Sequence, residues 1–115
     1  MSSLLSSLTT ELRRGTLTLA VLSQLRTPKY GYSLVQILEA RGIAIDQSTL
    51  YPLLRRLEKQ ELVTSSWDTS ENRPRRYYEL SAFGTEIYEQ LKNEWEETTR
   101  ELNILLKGDD PHDAD

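Results

Sequence analysis

Between Asp46 and Leu62 the chain reads DQSTLYPLLRRLEKQEL, with Leu50, Leu53, Leu54 and Leu57 at i, i+3, i+4 and i+7. Each helical residue turns the axis by about 100°, so these leucines form one apolar stripe. The opposite side collects Ser48, Tyr51, Pro52, Arg55, Arg56 and Lys59: a hydroxyl, a ring, a proline and three cations, with no acid among them. Such a face suits a DNA major groove, where phosphates take cations and base edges take donors and acceptors. Asp46 is placed to cap the N–H of Ser48 or Thr49. Pro52 is unusual this far into a helix, because it removes the bond to the Ser48 carbonyl. An ordinary amphipathic helix with a solvated basic face would read the same way, so the flanking segments must decide.

Upstream, Met1–Thr10 is rich in Ser, Thr and Leu and reads as a weak, frayed helix. Thr10–Arg26 reads as a firmer one, with Leu12, Leu19, Leu22 and Leu25 supplying much of a face. Gly15 implies either a close neighbour or a true helix start near Thr16. After the punctuation of Pro28 and Gly31, Tyr32–Arg41 makes a short helix facing Leu34, Ile37 and Leu38 inward, with Gly42 as its stop. Two short helices joined by a tight turn, the second polar outside, form a helix-turn-helix.

Downstream of Glu61 the period changes. Leu62–Trp67 and Arg75–Leu80 read as paired strands around a polar turn, Asp68–Pro74, making a hairpin or wing. Arg73, Arg75 and Arg76 lie on its tip and return strand, where guanidinium groups favour phosphate or minor-groove contact. Pairing with Asp68 and Glu71 on a solvated hairpin is the plainer alternative. Trp67 is expected in the core.

Ser81 can cap a last helix of about 40 Å. Within it Tyr88, Leu91, Trp95, Thr98, Leu102 and Leu105 alternate spacings of three and four, an a/d seam over about two and a half heptads. So long a helix has little of its own chain to bury that seam, and a two-fold dimer would bury it. The alternative packs it on the first helix of the same chain. The expected organisation is residues 1–80 as a DNA-binding domain, 81–107 as a dimerisation helix and 108–115 as a disordered acidic tail. The fold class is mainly α with a small β-hairpin.

The net charge of −4 would ordinarily argue against a nucleic-acid partner, but it hides an asymmetry. Residues 1–80 hold 11 Lys+Arg against 8 Asp+Glu, whereas residues 81–115 hold 3 against 10. With no cysteine, and a single histidine (His112) in the acidic tail, no catalytic, metal or cofactor site is expected. Loose metal binding by His112 with Asp109, Asp110 and Asp113 is outweighed by a solvated tail. No apolar run approaches 18 residues and the start lacks a signal-like segment, so a cytoplasmic protein without a membrane partner is expected.

With LRRGTLTLAVL, YGYSLVQIL, STLYPLLRRLEKQELV and RPRRYYELSAFG occurring in that order, the chain resembles the PadR family of bacterial winged-helix regulators, from about Leu12 to Leu105. The single C-terminal helix resembles the family's short subgroup. The resemblance implies a homodimeric repressor on a two-fold-symmetric double-stranded operator, released by a small-molecule or stress signal. It places Ser48, Thr49 and Tyr51 at the DNA surface and implies backbone contact from Arg73 and Arg75. It also implies that one ring of Tyr30-Gly31-Tyr32 packs in the core. The residues themselves add Arg55 in the groove and Lys59 on phosphate. Trp95 resembles a tryptophan that, in some multidrug-responsive members, pairs across the dimer to sandwich flat aromatic effectors; a plain seam anchor is the alternative. Two departures are Glu61, where the family often has glycine, and Ser81, where it often has threonine. A winged-helix scaffold that binds protein without specific DNA binding remains the alternative function.

Overall fold

The computed structural model describes residues 2–108. The expected acidic tail, with His112 and its neighbouring aspartates, lies outside them from residue 109 onward. The elements run α1 (Ser2–Ser23), β1 (Lys29–Tyr30), α2 (Gly31–Ala40), α3 (Gln47–Lys59), β2 (Val63–Asp68), β3 (Arg75–Leu80) and α4 (Ala82–Lys107). The strands form one antiparallel sheet in the order β1-β3-β2. In the wing, Val63 pairs with Leu80 and Asp68 with Arg75; β1 adds Lys29 opposite Tyr78 and Tyr30 opposite Tyr77. The result is a winged helix-turn-helix with a long trailing helix.

The core forms where the apolar stripes of these elements meet. Val21 and Leu22 of α1, Leu25 of the turn that follows it, Leu34 and Leu38 of α2, and the four leucines of α3 close over Val63, Tyr78 and Leu80 of the sheet. Tyr88 of α4 joins them and is only 4% exposed. That corrects its expected place on the seam, because the ring is buried within its own chain. From Leu91 onward the apolar residues of α4 are exposed, as are Leu4, Leu5, Leu8 and Leu12 of α1.

α1 is one continuous helix that runs through Gly15, and a Cβ there would meet nothing within 4 Å. The helix does not begin at Thr16, and among the described residues no neighbour presses on Gly15. Trp67 is also corrected, being 61% exposed. It shares its strand face with Val63, but the hairpin projects past the helices, so no body lies beneath it. The Arg76 guanidinium covers one side of the ring, 5.6 Å from its centroid.

Two helix ends use the same left-handed turn. After α2, Gly42 (φ +89°) lets its own N–H reach Glu39 O at 3.0 Å and that of Ile43 reach Leu38 O at 2.8 Å. After α3 the same pair runs from Glu61 to Glu58 O (2.9 Å) and from Leu62 to Leu57 O (3.0 Å). There the left-handed position is filled by Glu61, at φ +64°. A side chain costs about 1 kcal/mol in this conformation, which glycine does not pay. Glu61→Gly is therefore expected to stabilise the fold by about 1 kcal/mol, read as a later urea midpoint with an unchanged slope. A lower midpoint would contradict this account of the turn.

Candidate nucleic-acid interface

The exposed side of α3 is built from its N-terminus. Asp46 accepts a hydrogen bond from the Thr49 N–H at 2.9 Å and from the Ser48 hydroxyl at 2.7 Å. Those bonds, Ser48 first and then Thr49, hold its carboxyl below the ordinary carboxylate value. Pro52 is exposed, so the Ser48 carbonyl it leaves unbonded lies on the solvent side of the helix. Arg55, Arg56 and Lys59 are exposed and form no ion pair among the described residues. Ser48, Pro52, Arg55 and Lys59 line one strip directly opposite the leucines, as 100° per residue requires.

Thr49 and Tyr51 straddle the buried Leu50, about 100° to either side of it, and so occupy the two flanks of α3. Thr49 is exposed. Tyr51 is half-buried and packs on Gly31, where a Cβ would lie 2.6 Å from the ring and its oxygen. This makes Tyr51 a wall as much as a probe. It closes one side of a cleft of about 600 Å³ between the start of α2 and the wing, whose other walls include Tyr32, Gln36, Arg73 and Arg75. The N-cap of α2, Tyr30, offers no side-chain cap. The first N–H groups of α2 therefore lack that partner at the same end of the cleft.

In the wing, Arg73 is exposed and forms no ion pair among the described residues. Arg75 has a loose pair with Glu71 at 3.9 Å and lies 5.1 Å from the centroid of the Tyr30 ring. Both side chains of the Arg75 pair are largely exposed, so it contributes little and leaves the guanidinium available. Arg76 differs, bonding to Glu58 at 3.3 Å and to Ser65 at 2.8 Å. It neutralises the one acid in the helical part of α3 and ties the hairpin to that helix.

One cluster escaped the sequence reading. Tyr30 stacks on Tyr77 with centroids 4.2 Å apart, and the two hydroxyls are 2.7 Å apart. Tyr30 has one proton and also lies 2.8 Å from Asp68, so Tyr77 donates to Tyr30 and Tyr30 donates to Asp68. Hydrogen bonds from Ser70, then from Tyr30, bring the Asp68 carboxyl down to about 2. This triad ties the turn-side half of the wing strands to β1. The only signal in the sequence was the YGY motif, which named Tyr30 without its partners.

The sign of the pH effect follows. Asp68 has a depressed folded value, so its contribution is complete above the unfolded value near 4 and lost as pH falls toward 2. Wild type is expected to unfold above Asp68→Asn at neutral pH, with the gap closing between about pH 4 and pH 2. Thermal scans of both proteins across that range check this; a gap constant with pH would contradict it.

Of the expected seam, Trp95 is 46% exposed, and Leu91, Thr98, Leu102 and Leu105 are exposed as well. Ile104 and Leu106, which the seam pattern passed over, are also exposed. Trp95 borders a groove of about 270 Å³ where α4 crosses α1, beside Gly15 and Leu19. Among the described residues no group of three or more His, Cys, Asp or Glu could hold a metal. No described helix is long and apolar enough to cross a membrane.

Comparison with known proteins bears on this surface. Residues 18–90 match the family of PadR-like transcriptional regulators. The structure of a PadR family transcriptional regulator from Eggerthella lenta is 45% identical, with a TM-score of 0.85 over 91% of this chain and 94% of that one. A PadR-like transcriptional regulator from Bacillus cereus is 28% identical, with a TM-score of 0.76 over 84% and 96%. An uncharacterised protein of Lysinibacillus sphaericus is 30% identical over 88 residues, 73% of this chain and 81% of its own length.

Proposed function

The chain belongs to the PadR-like family of transcriptional regulators, which makes it a DNA-binding regulator and not an enzyme, and on that premise we propose a homodimeric repressor of a two-fold-symmetric operator. The observation that carries this reading is the outer strip of α3. It offers Ser48, Arg55 and Lys59 with no acid among them, beside a hairpin whose Arg73 is unpaired among the described residues. α3 enters the major groove, where Arg55 and Tyr51 meet base edges. Ser48, Thr49 and Lys59 hold phosphates along it, and Arg73 and Arg75 reach the backbone from the wing.

Residues 1–80 act as the DNA-binding head and 81–107 as the dimerisation helix. Leu91, Trp95, Thr98, Leu102 and Leu105 of α4 form the two-fold seam, and Leu4, Leu5, Leu8 and Leu12 of α1 extend the apolar surface it covers. A solitary helix with this much exposed leucine is unfavourable in water at about 25 cal/mol per Å². Two Trp95 rings facing across the axis would make a slot for a flat aromatic effector. Quenching of Trp95 by such a compound tests the slot, in a Trp67→Phe background because Trp67 is exposed too.

Arg55→Ala is expected to weaken operator binding by about tenfold to a hundredfold and nonspecific binding far less, as loss of a base contact should. Arg73→Ala is expected to weaken both alike and to make the salt dependence shallower by about one phosphate. Titrations of both variants on operator and unrelated duplexes check this. Unchanged affinity in both, with the fold intact, would remove this assignment of the surface.

A further inference from the structure

The wing and its arginines lie on the Tyr51 flank of α3. On the other flank, Thr49 borders a separate cleft of about 540 Å³, between the middle of α1 and the turn joining α2 to α3. Its walls include Thr10, Arg13, Arg14, Leu17 and Ile43. Neither arginine forms an ion pair among the described residues, and Glu11, three residues before Arg14, is not engaged with it. Both arginines are exposed, and the cleft they line includes no carboxylate among the described residues. Thr49 spends its backbone N–H on Asp46, and its exposed side chain borders the same space.

A helix seated in a major groove about 12 Å wide has a phosphate strand on each side. The wing serves one of them. We propose that Arg13 and Arg14, with the Thr49 hydroxyl, form a second phosphate-contact site for duplex DNA on the flank of α3 opposite the wing. The site rests on the reading of α3 as the groove-binding helix. It gives α1 a role in binding as well as in assembly, and it clamps α3 between two sets of cations. Because it touches only phosphate, it adds affinity and orientation and carries no base preference.

The test uses the full chain on a duplex from upstream of its own gene and on an unrelated duplex of equal length, each across a salt series. The variants are Arg13→Gln/Arg14→Gln and Arg13→Lys/Arg14→Lys, with circular dichroism and sedimentation confirming fold and assembly. The glutamine pair is expected to bind both duplexes about tenfold more weakly at near-physiological salt, with a salt dependence shallower by about one to two phosphates. The lysine pair, which keeps the charge, is expected to restore most of the loss. Unchanged affinity and slope in the glutamine pair, while Arg73→Ala still weakens binding, would remove the site and leave the reading of α3 standing. A loss on the upstream duplex alone would also overturn it, since phosphate contacts do not discriminate sequence. Wild-type protein that binds neither duplex would overturn both readings together.

Discussion

Gly84→Ala is expected to destabilise the fold by about 3 kcal/mol, lowering the thermal midpoint by more than about 10 °C at fixed protein concentration. A Cβ at this position would lie 1.9 Å from the carbonyl oxygen of Leu62 and 2.8 Å from its carbonyl carbon. Those atoms are backbone and cannot swing aside. Leu62 is also held from two directions, its N–H on Leu57 O at 3.0 Å and its carbonyl accepting from Ser81 N–H at 3.0 Å. Ser81 in turn caps α4 through its hydroxyl on Gly84 N–H (2.8 Å) and donates to Glu61 O (2.7 Å). The methyl group must therefore push the start of α4 off the end of α3, breaking this stitch. Gly31→Ala makes the contrasting case, because its clash is with the outer end of the Tyr51 ring, which can turn away. A Gly84→Ala midpoint within about 3 °C of wild type would contradict the close approach.

The second large effect is expected from truncation after Leu91. The stop keeps Gly84 and Tyr88, so the stitch and the Tyr88 contact with the core survive. It removes Trp95, Thr98, Leu102 and Leu105, which are exposed in the single chain and contribute little to the stability of the head. The head should still fold, and it should sediment as a monomer. Operator affinity is expected to fall by about a hundredfold or more, because the second half-site no longer binds as an intramolecular event. A truncated protein that stays dimeric would place the main interface on α1 and sink the seam.

How far the sequence could be read depended on whether a feature was local. The leucines at 50, 53, 54 and 57 announce their helix and its buried side, and the cations opposite follow from the same rotation. Gly42 stops its helix where a left-handed residue is needed, whereas Glu61, in the equivalent place after α3, stands out in the sequence only as a departure from the glycine common in the family. Its positive φ explains why glycine suits that place. What stayed hidden was set by distant partners. β1 is too short to have a period, and its Tyr30 meets Asp68 and Tyr77, 38 and 47 residues away. Gly84 was visible as a glycine in a first turn, but the carbonyl that demands it belongs to Leu62. Tyr88 has the spacing of the seam, and spacing alone does not separate a residue buried in its own core from one offered to a partner. Trp67 failed for a geometric reason: alternation says which side of a strand a residue faces, and the wing runs past the body that would have covered that side.

Recognition of a specific DNA sequence by this surface is the activity on which the proposed function stands. Fluorescence anisotropy on a labelled duplex from upstream of the protein's own gene tests it most directly, beside an unrelated duplex and at two salt concentrations. The predicted result is a preference of about a thousandfold or more for the upstream duplex, with binding to both falling steeply as salt rises. Binding to neither duplex at low salt would contradict it, and would leave the exposed helices as a surface for protein.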